Sequence, residues 1–156
     1  MAEQWLIDGY NLLYALQSQD PQRSSPSREQ MFAFVAEFAS FKKLNTLIVL
    51  DGTGNDAELS AYRTDCLEVV YSQKVPADTY IERYLFENRD KKRLVVVTND
   101  RAIGNIACGC GAGLLSTSLF WEQLKASQKD SGDLIQKQRS KQHGFNRPFE
   151  DKLKDL

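Results

Sequence analysis

Three aspartates stand where three apolar runs stop: Leu6-Ile7-Asp8, Ile48-Val49-Leu50-Asp51 and Val96-Val97-Thr98-Asn99-Asp100. A fourth, Asp78, opens a helical stretch with Glu82 one turn behind it. Carboxylates gathered in one place repel one another, and stay partly protonated or move apart unless a cation lies among them. Mg2+ and Mn2+ are hard ions that take carboxylate oxygens and water. Pairs of such ions hydrolyse phosphodiesters: one helps to ionise the attacking water and the other steadies the leaving oxygen. The pattern predicts a divalent-metal site held by Asp8, Asp51, Asp78 and Asp100, with Glu82 as a further ligand or a close neighbour. The chemistry is that of metal-activated water on a phosphate, without a covalent enzyme intermediate.

The elements that would position these acids follow from periodicity. Each apolar run reads as a strand buried on both faces of a parallel sheet, so each acid lies at or near a carboxyl end, the edge where open α/β sheets bind ligands. Strands are expected at about residues 4–8, 46–51, 67–71, 93–98 and 113–117, and helices at about 10–16, from Ser27 through Phe41, and at about 78–88, 101–108 and 119–126. Ser27 and Gln30 have capping-box spacing, and Met31, Phe34, Val35, Phe38 and Phe41 fall on one helical face. Segments 18–27 and 52–60, rich in Gly, Pro and polar residues, read as loops. Alternating strands and helices give an α/β domain with a central, mainly parallel five-stranded sheet. It spans residues 1–126, followed by a polar tail over 127–156, read as loosely packed or disordered. Any single acid has a plainer reading as a helix N-cap. That serves for Asp8, Asp78 and Asp100; it serves less well for Asp51, which no clear helix follows.

The totals narrow the function classes. A length of 156 residues, 42% hydrophobic and 26% charged, suits one ordinary globular domain. A net charge of -1 excludes a globally basic nucleic-acid binder and requires any such partner to meet a local basic face. Three cysteines and no visible secretion signal point to free thiols in the cytoplasm. No apolar run approaches a membrane span. Nothing in the sequence speaks to oligomeric state.

Read together, Ile7-Asp8-Gly9-Tyr10-Asn11, Ala77-Asp78-Thr79-Tyr80-Ile81-Glu82 and Thr98-Asn99-Asp100 resemble the YacP-like branch of the NYN domains, relatives of the PIN-domain ribonucleases. Leu50-Asp51 lies between the first two motifs and Gly111-Ala112 follows the last. The resemblance covers about residues 5–124. It implies a PIN-like three-layer α/β/α sandwich and a metal-dependent endoribonuclease with Mg2+ or Mn2+ as cofactor. By motif matching, Asp8, Asp78 and Asp100 would be metal ligands, with Asp51 in the cluster. Asn11 would orient water or a ligand, and Thr98 would position substrate or a bound water. Some YacP-like relatives act at the ribosome, which makes it a candidate partner beside single-stranded RNA. Family members often carry a basic residue shortly after the Gly-Ala, where this chain has Gly113, Leu114 and Leu115.

An RNA also needs cations near the acids. Arg101, directly after Asp100, is the leading candidate, followed by Arg63, Lys74 and Arg83, although an isolated surface charge is usually just solvated. Tyr10 is a candidate to stack on an unpaired base, or else to pack between helix and sheet. Two rival functions use similar parts. One is a non-catalytic RNA- or ribosome-binding module. The other is an aspartyl-phosphate phosphatase or receiver, disfavoured because Tyr10 stands where the phosphatase pattern wants a second Asp. The lone His143 removes histidine-based nucleophilic mechanisms from the core.

Overall fold

The computed structural model describes residues 2–18 and 26–127; the expected tail from 128 onward and most of the 18–27 loop lie outside the described residues. In chain order the elements are β1 (Glu3–Asp8), α1 (Gly9–Ser18), α2 (Arg28–Lys42), β2 (Asn45–Leu50), α3 (Asp56–Leu59), a 3-10 turn (Ser60–Tyr62), β3 (Leu67–Tyr71), α4 (Ala77–Asn88), β4 (Arg93–Val97), α5 (Arg101–Gly109) and β5 (Gly113–Leu115). A further helix, α6, runs over residues 117–127.

The five strands form one sheet in the order β3-β2-β1-β4-β5, and every pairing is parallel. Their residues alternate between two apolar layers. Leu6, Leu47, Val49, Leu94 and Val96 face α4 and α5 with Ala77, Ile81, Leu85, Ile103 and Ala107. Ile7, Ile48, Leu50 and Val97 face the other way, onto α1, α2 and α6 with Leu12, Phe34, Val35, Phe38, Phe120 and Trp121. Burial on both faces is why these strands read as unbroken apolar runs, and the result is the expected three-layer α/β/α sandwich.

Local signals match the elements. Ser27 caps α2 through the reciprocal box: its hydroxyl accepts from the Gln30 N–H at 3.1 Å, and the Gln30 side chain accepts from the Ser27 N–H at 2.8 Å. On α2, Met31, Phe34, Val35 and Phe38 are buried as their spacing predicts, whereas Phe41, at the last turn, is 39% exposed. The 52–60 segment is not all loop. Asn55 accepts from the Ala57 N–H and caps α3, whose Leu59 reaches the core.

Gly9 joins β1 to α1 beneath β2. A Cβ there would stand 2.6 Å from Leu50 Cδ2 and 3.0 Å from the Val49 carbonyl oxygen, so only glycine lets α1 start this close to the sheet.

From β1 the chain builds outward to β2 and β3, then α4 carries it back across to β4 on the other side of β1. The strand order therefore reverses between β1 and β4. That is the switch point at which α/β sheets open a crevice beyond their carboxyl ends.

Candidate active site

Asp8 is the last residue of β1, and Thr98 is its neighbour just past β4, one step beyond the Ile7–Val97 pair. Thr98 is buried at 3% exposure. Its hydroxyl donates to Asp8 Oδ2 at 3.3 Å and accepts from the Asp100 N–H at 3.0 Å. A hydroxyl can do both at once, so one buried oxygen sets two acids in register. Asp8 also accepts from the Asn11 N–H at the start of α1. Burial pushes its carboxyl up from 3.8 to about 6, against the pull of these two hydrogen bonds, and the charges of Asp100 and Asp51 push the same way. A half-buried acid flanked by two more is an unfavourable arrangement that a cation would relieve.

Asp100 is the N-cap of α5. Its Oδ1 accepts from Ala102 N at 2.8 Å and Ile103 N at 3.3 Å. Asp51 also caps a helix, through space rather than sequence. Its Oδ1 accepts from the Ala77 N–H at 2.9 Å, the first free donor of α4. The sequence shows no helix after Asp51; the structure supplies one from 26 residues away. This contact docks the start of α4 at the end of β2 and brings Asp78 to the same edge. Asp78 is exposed and accepts from the Thr79 N–H at 2.8 Å. Glu82 is half-buried one turn further on.

All four aspartates thus reach the carboxyl edge of the sheet, each with an oxygen held by backbone N–H groups. Asp8 senses the charges of Asp100 and Asp51. Among the described residues, however, no three His, Cys, Asp or Glu side chains are close enough to share one ion. Asp8, Asp51 and Asp100 instead each place an oxygen on backbone N–H groups at the start of a helix, the partially positive helix end. The edge still suits a hard divalent ion. Its donors are all oxygens and amides, and Mg2+ characteristically takes one or two carboxylates and keeps waters in its remaining positions. Asp8 and Asp100, linked through Thr98, are the residues that fit this role.

A second set of contacts fixes the loop after β4. Asn11 Oδ1 accepts from the Asn99 N–H at 2.8 Å. The Asn99 amide donates to Thr117 Oγ1 at 2.6 Å and accepts from the Thr117 N–H at 3.0 Å. Thr117 is fully buried. The loop is thereby tied to α1 on one side and α6 on the other. Asn99 was not singled out in the sequence; its place inside Thr98-Asn99-Asp100 was the available signal.

The substrate candidates divide. Arg101 is exposed at the first position of α5, beside Asp100. Tyr10 is half-buried, packs against the α1–α2 core layer and accepts from Arg28 through its hydroxyl, the contacts of a side chain packed between helix and sheet. Arg28 in turn donates to the Tyr71 hydroxyl at 3.0 Å. Arg63 lies at the opposite edge of the sheet, in a hollow with Gln4, Asn45, Thr46 and Lys92 near the strands' amino ends. It is too far round the sheet to meet a phosphate at Asp8.

Comparison with known proteins gives the family and the fold. The model of the YacP-like NYN domain matches residues 5–155, nearly the whole chain. The chain belongs to the YacP-like NYN domain family. This family is one of nuclease-like, RNA-directed domains, and its match runs past residue 126 through the segment read as a tail. Two crystal structures of Rae1 (YacP) from Bacillus subtilis share the fold. The W164L mutant aligns at TM-score 0.70 and 20% identity over 98% of this chain and 91% of that one. The other aligns at TM-score 0.67 and 21% identity over 88% and 82%. No curated protein matches. In this YacP-like NYN domain no helix among the described residues is long and apolar enough to cross a membrane.

Proposed function

We propose that this YacP-like NYN domain is a metal-dependent endoribonuclease that hydrolyses single-stranded RNA in the cytoplasm, with Mg2+ or Mn2+ as cofactor. The observation that carries the reading is the Asp8–Thr98–Asp100 bridge at the switch point, where a half-buried carboxylate is held among like charges although a neutral side chain would be more comfortable. Asp8 and Asp100 would hold the ion, with Asp51 adding negative potential and Asp78 and Glu82 approaching from α4. When bound, such an ion supplies an ionised water and offsets the charge that builds on the phosphate. The chain's own residues do the rest. Thr98 fixes the rotamer of Asp8. Asn11 uses its Oδ1 to hold the Asn99 backbone, which leaves its Nδ2 to donate to a water or a phosphate oxygen. Arg101 offers a cation to the RNA backbone beside Asp100.

The test is cleavage of several unstructured RNAs with Mn2+, with EDTA and with an Asp100→Asn control. The expected result is hydrolysis that needs the metal and is lost in the variant. One observation favours a second reading, that of a non-catalytic RNA-binding module: the acids are held by helix ends and do not close on a common point. Wild type and variant equally inert on every RNA would establish that reading. Co-sedimentation with ribosomes, with and without the RNA, tests the ribosome as a partner.

A further inference from the structure

Beside the acidic edge, α1 presents one helical face made of Asn11, Tyr14, Ala15 and Ser18, spaced i, i+3, i+4 and i+7. With Asn99 and Ser118 this face lines an open hollow of about 350 Å3, within the usual range of small-molecule clefts, ~300–1,000 Å3. The opposite face of α1, with Leu12, Leu13 and Leu16, is buried in the core, so the hollow's wall is rigidly mounted. Tyr14 is 75% exposed, the most exposed large hydrophobic side chain among the described residues. No charged residue lines the hollow, which makes it a poor seat for a phosphate. A flat aromatic ring among amides and hydroxyls is instead the chemistry that receives an unpaired nucleobase, by stacking on its face and hydrogen bonding at its edge.

The hollow is also correctly placed. Asn11 bonds Asp8 through its backbone and Asn99 through its side chain, and Asn99 immediately precedes Asp100. A base seated here would belong to a nucleotide adjoining the phosphate at the acids. The amide orientation of Asn99 is set by Thr117, which takes its Nδ2–H and gives its own N–H to Oδ1, so the polar edge of the hollow is fixed before substrate arrives. We propose that the hollow between α1, the β4–α5 loop and α6 binds one unpaired base of the RNA, stacked on Tyr14, and so sets a nucleotide preference next to the cleaved bond. This rests on the nuclease reading for the words "cleaved bond", but the base site itself is testable by binding alone.

The experiment uses the full chain carrying Asp100→Asn, which keeps the α5 cap, and a short unstructured oligoribonucleotide bearing 2-aminopurine. Tyr14→Ala and Tyr14→Phe are compared on this background, with thermal melting as a folding control. Stacking on an aromatic side chain predicts that Tyr14→Ala weakens binding roughly 5- to 150-fold, with loss of 2-aminopurine quenching. Tyr14→Phe, which keeps the ring, recovers most of the affinity. In the cleaving wild-type background the same Tyr14→Ala change raises KM and blurs the cleavage pattern. Equal affinity and equal quenching in all three proteins overturn the base site, even if the wild type cleaves RNA. A wild type that never cleaves but loses oligonucleotide binding on Tyr14→Ala supports the base site and removes the nuclease reading alone.

Discussion

Replacing Asp8 by Asn should make the protein more stable while abolishing its activity, with a pH dependence fixed by the site. Burial and the charges of Asp100 and Asp51 raise the Asp8 carboxyl from 3.8 to about 6. The folded chain therefore binds this proton more tightly than the unfolded chain does, and stability falls as pH rises through that window. The penalty is absent below about pH 4 and complete above about pH 6. At about 1.4 kcal/mol per unit of pKa difference it reaches ~3 kcal/mol, and solvent reaching the half-buried group reduces this to about 1–2 kcal/mol. An asparagine at this position keeps one acceptor oxygen, which can still take the Thr98 hydroxyl, but carries no charge. The expected outcome is a Tm higher than wild type by roughly 2–8 °C at pH 8, shrinking towards zero at pH 4. Mn2+ should narrow the gap at pH 8 by raising the wild-type Tm and not that of Asp8→Asn, since only the former binds the ion. Thermal melts at pH 4, 6 and 8, with and without Mn2+, make the measurement. A variant less stable than wild type by the same amount at every pH would refute the account, because it would mean that Asp8 is held by favourable contacts and not against its own burial.

Three further outcomes follow from individual contacts. Asp100→Ala should lose about 0.5–2 kcal/mol of stability with the α5 cap, whereas Asp100→Asn keeps the cap and loses only cleavage; chemical denaturation beside an RNA assay separates the two effects. Thr98→Val removes a hydrogen bond that lowers the Asp8 carboxyl, so the acidic limb of the pH–kcat/KM profile should move to higher pH; an unmoved limb would show that Asp8 is not the titrating group. Gly9→Ala places a Cβ against Leu50 and the Val49 carbonyl, and should cost about 1–3 kcal/mol by overpacking, read as a lowered Tm with a displaced α1.

Much of the framework was legible in the chain because it rests on local patterns. Leu6-Ile7, Thr46 to Leu50 and Arg93 to Val97 are strands buried on both faces, and their apolar runs announce this without knowledge of their neighbours. The Ser27–Gln30 box fixes the start of α2 from four consecutive residues. The acids follow the same logic: a residue that ends such a strand lies at the sheet's edge wherever the strand is placed, so Asp8, Asp51 and Asp100 could be assigned to the carboxyl edge from sequence. What tertiary structure alone decided is which group each side chain meets. Asp51 caps α4, Asn11 holds Asn99 from 88 residues away, and Asn99 is clamped by Thr117, because the order β3-β2-β1-β4-β5 puts β4 between β1 and β5. Arg63, just before β3, lies at the amino edge of the parallel sheet, away from the acids, and the rotation of α1 sets Tyr10 partly buried against the core and Tyr14 out beside the acids. Strand order and helix rotation are set by packing across the whole sheet, an energy no short window of sequence contains, and so the type of chemistry was written locally while its geometry was not.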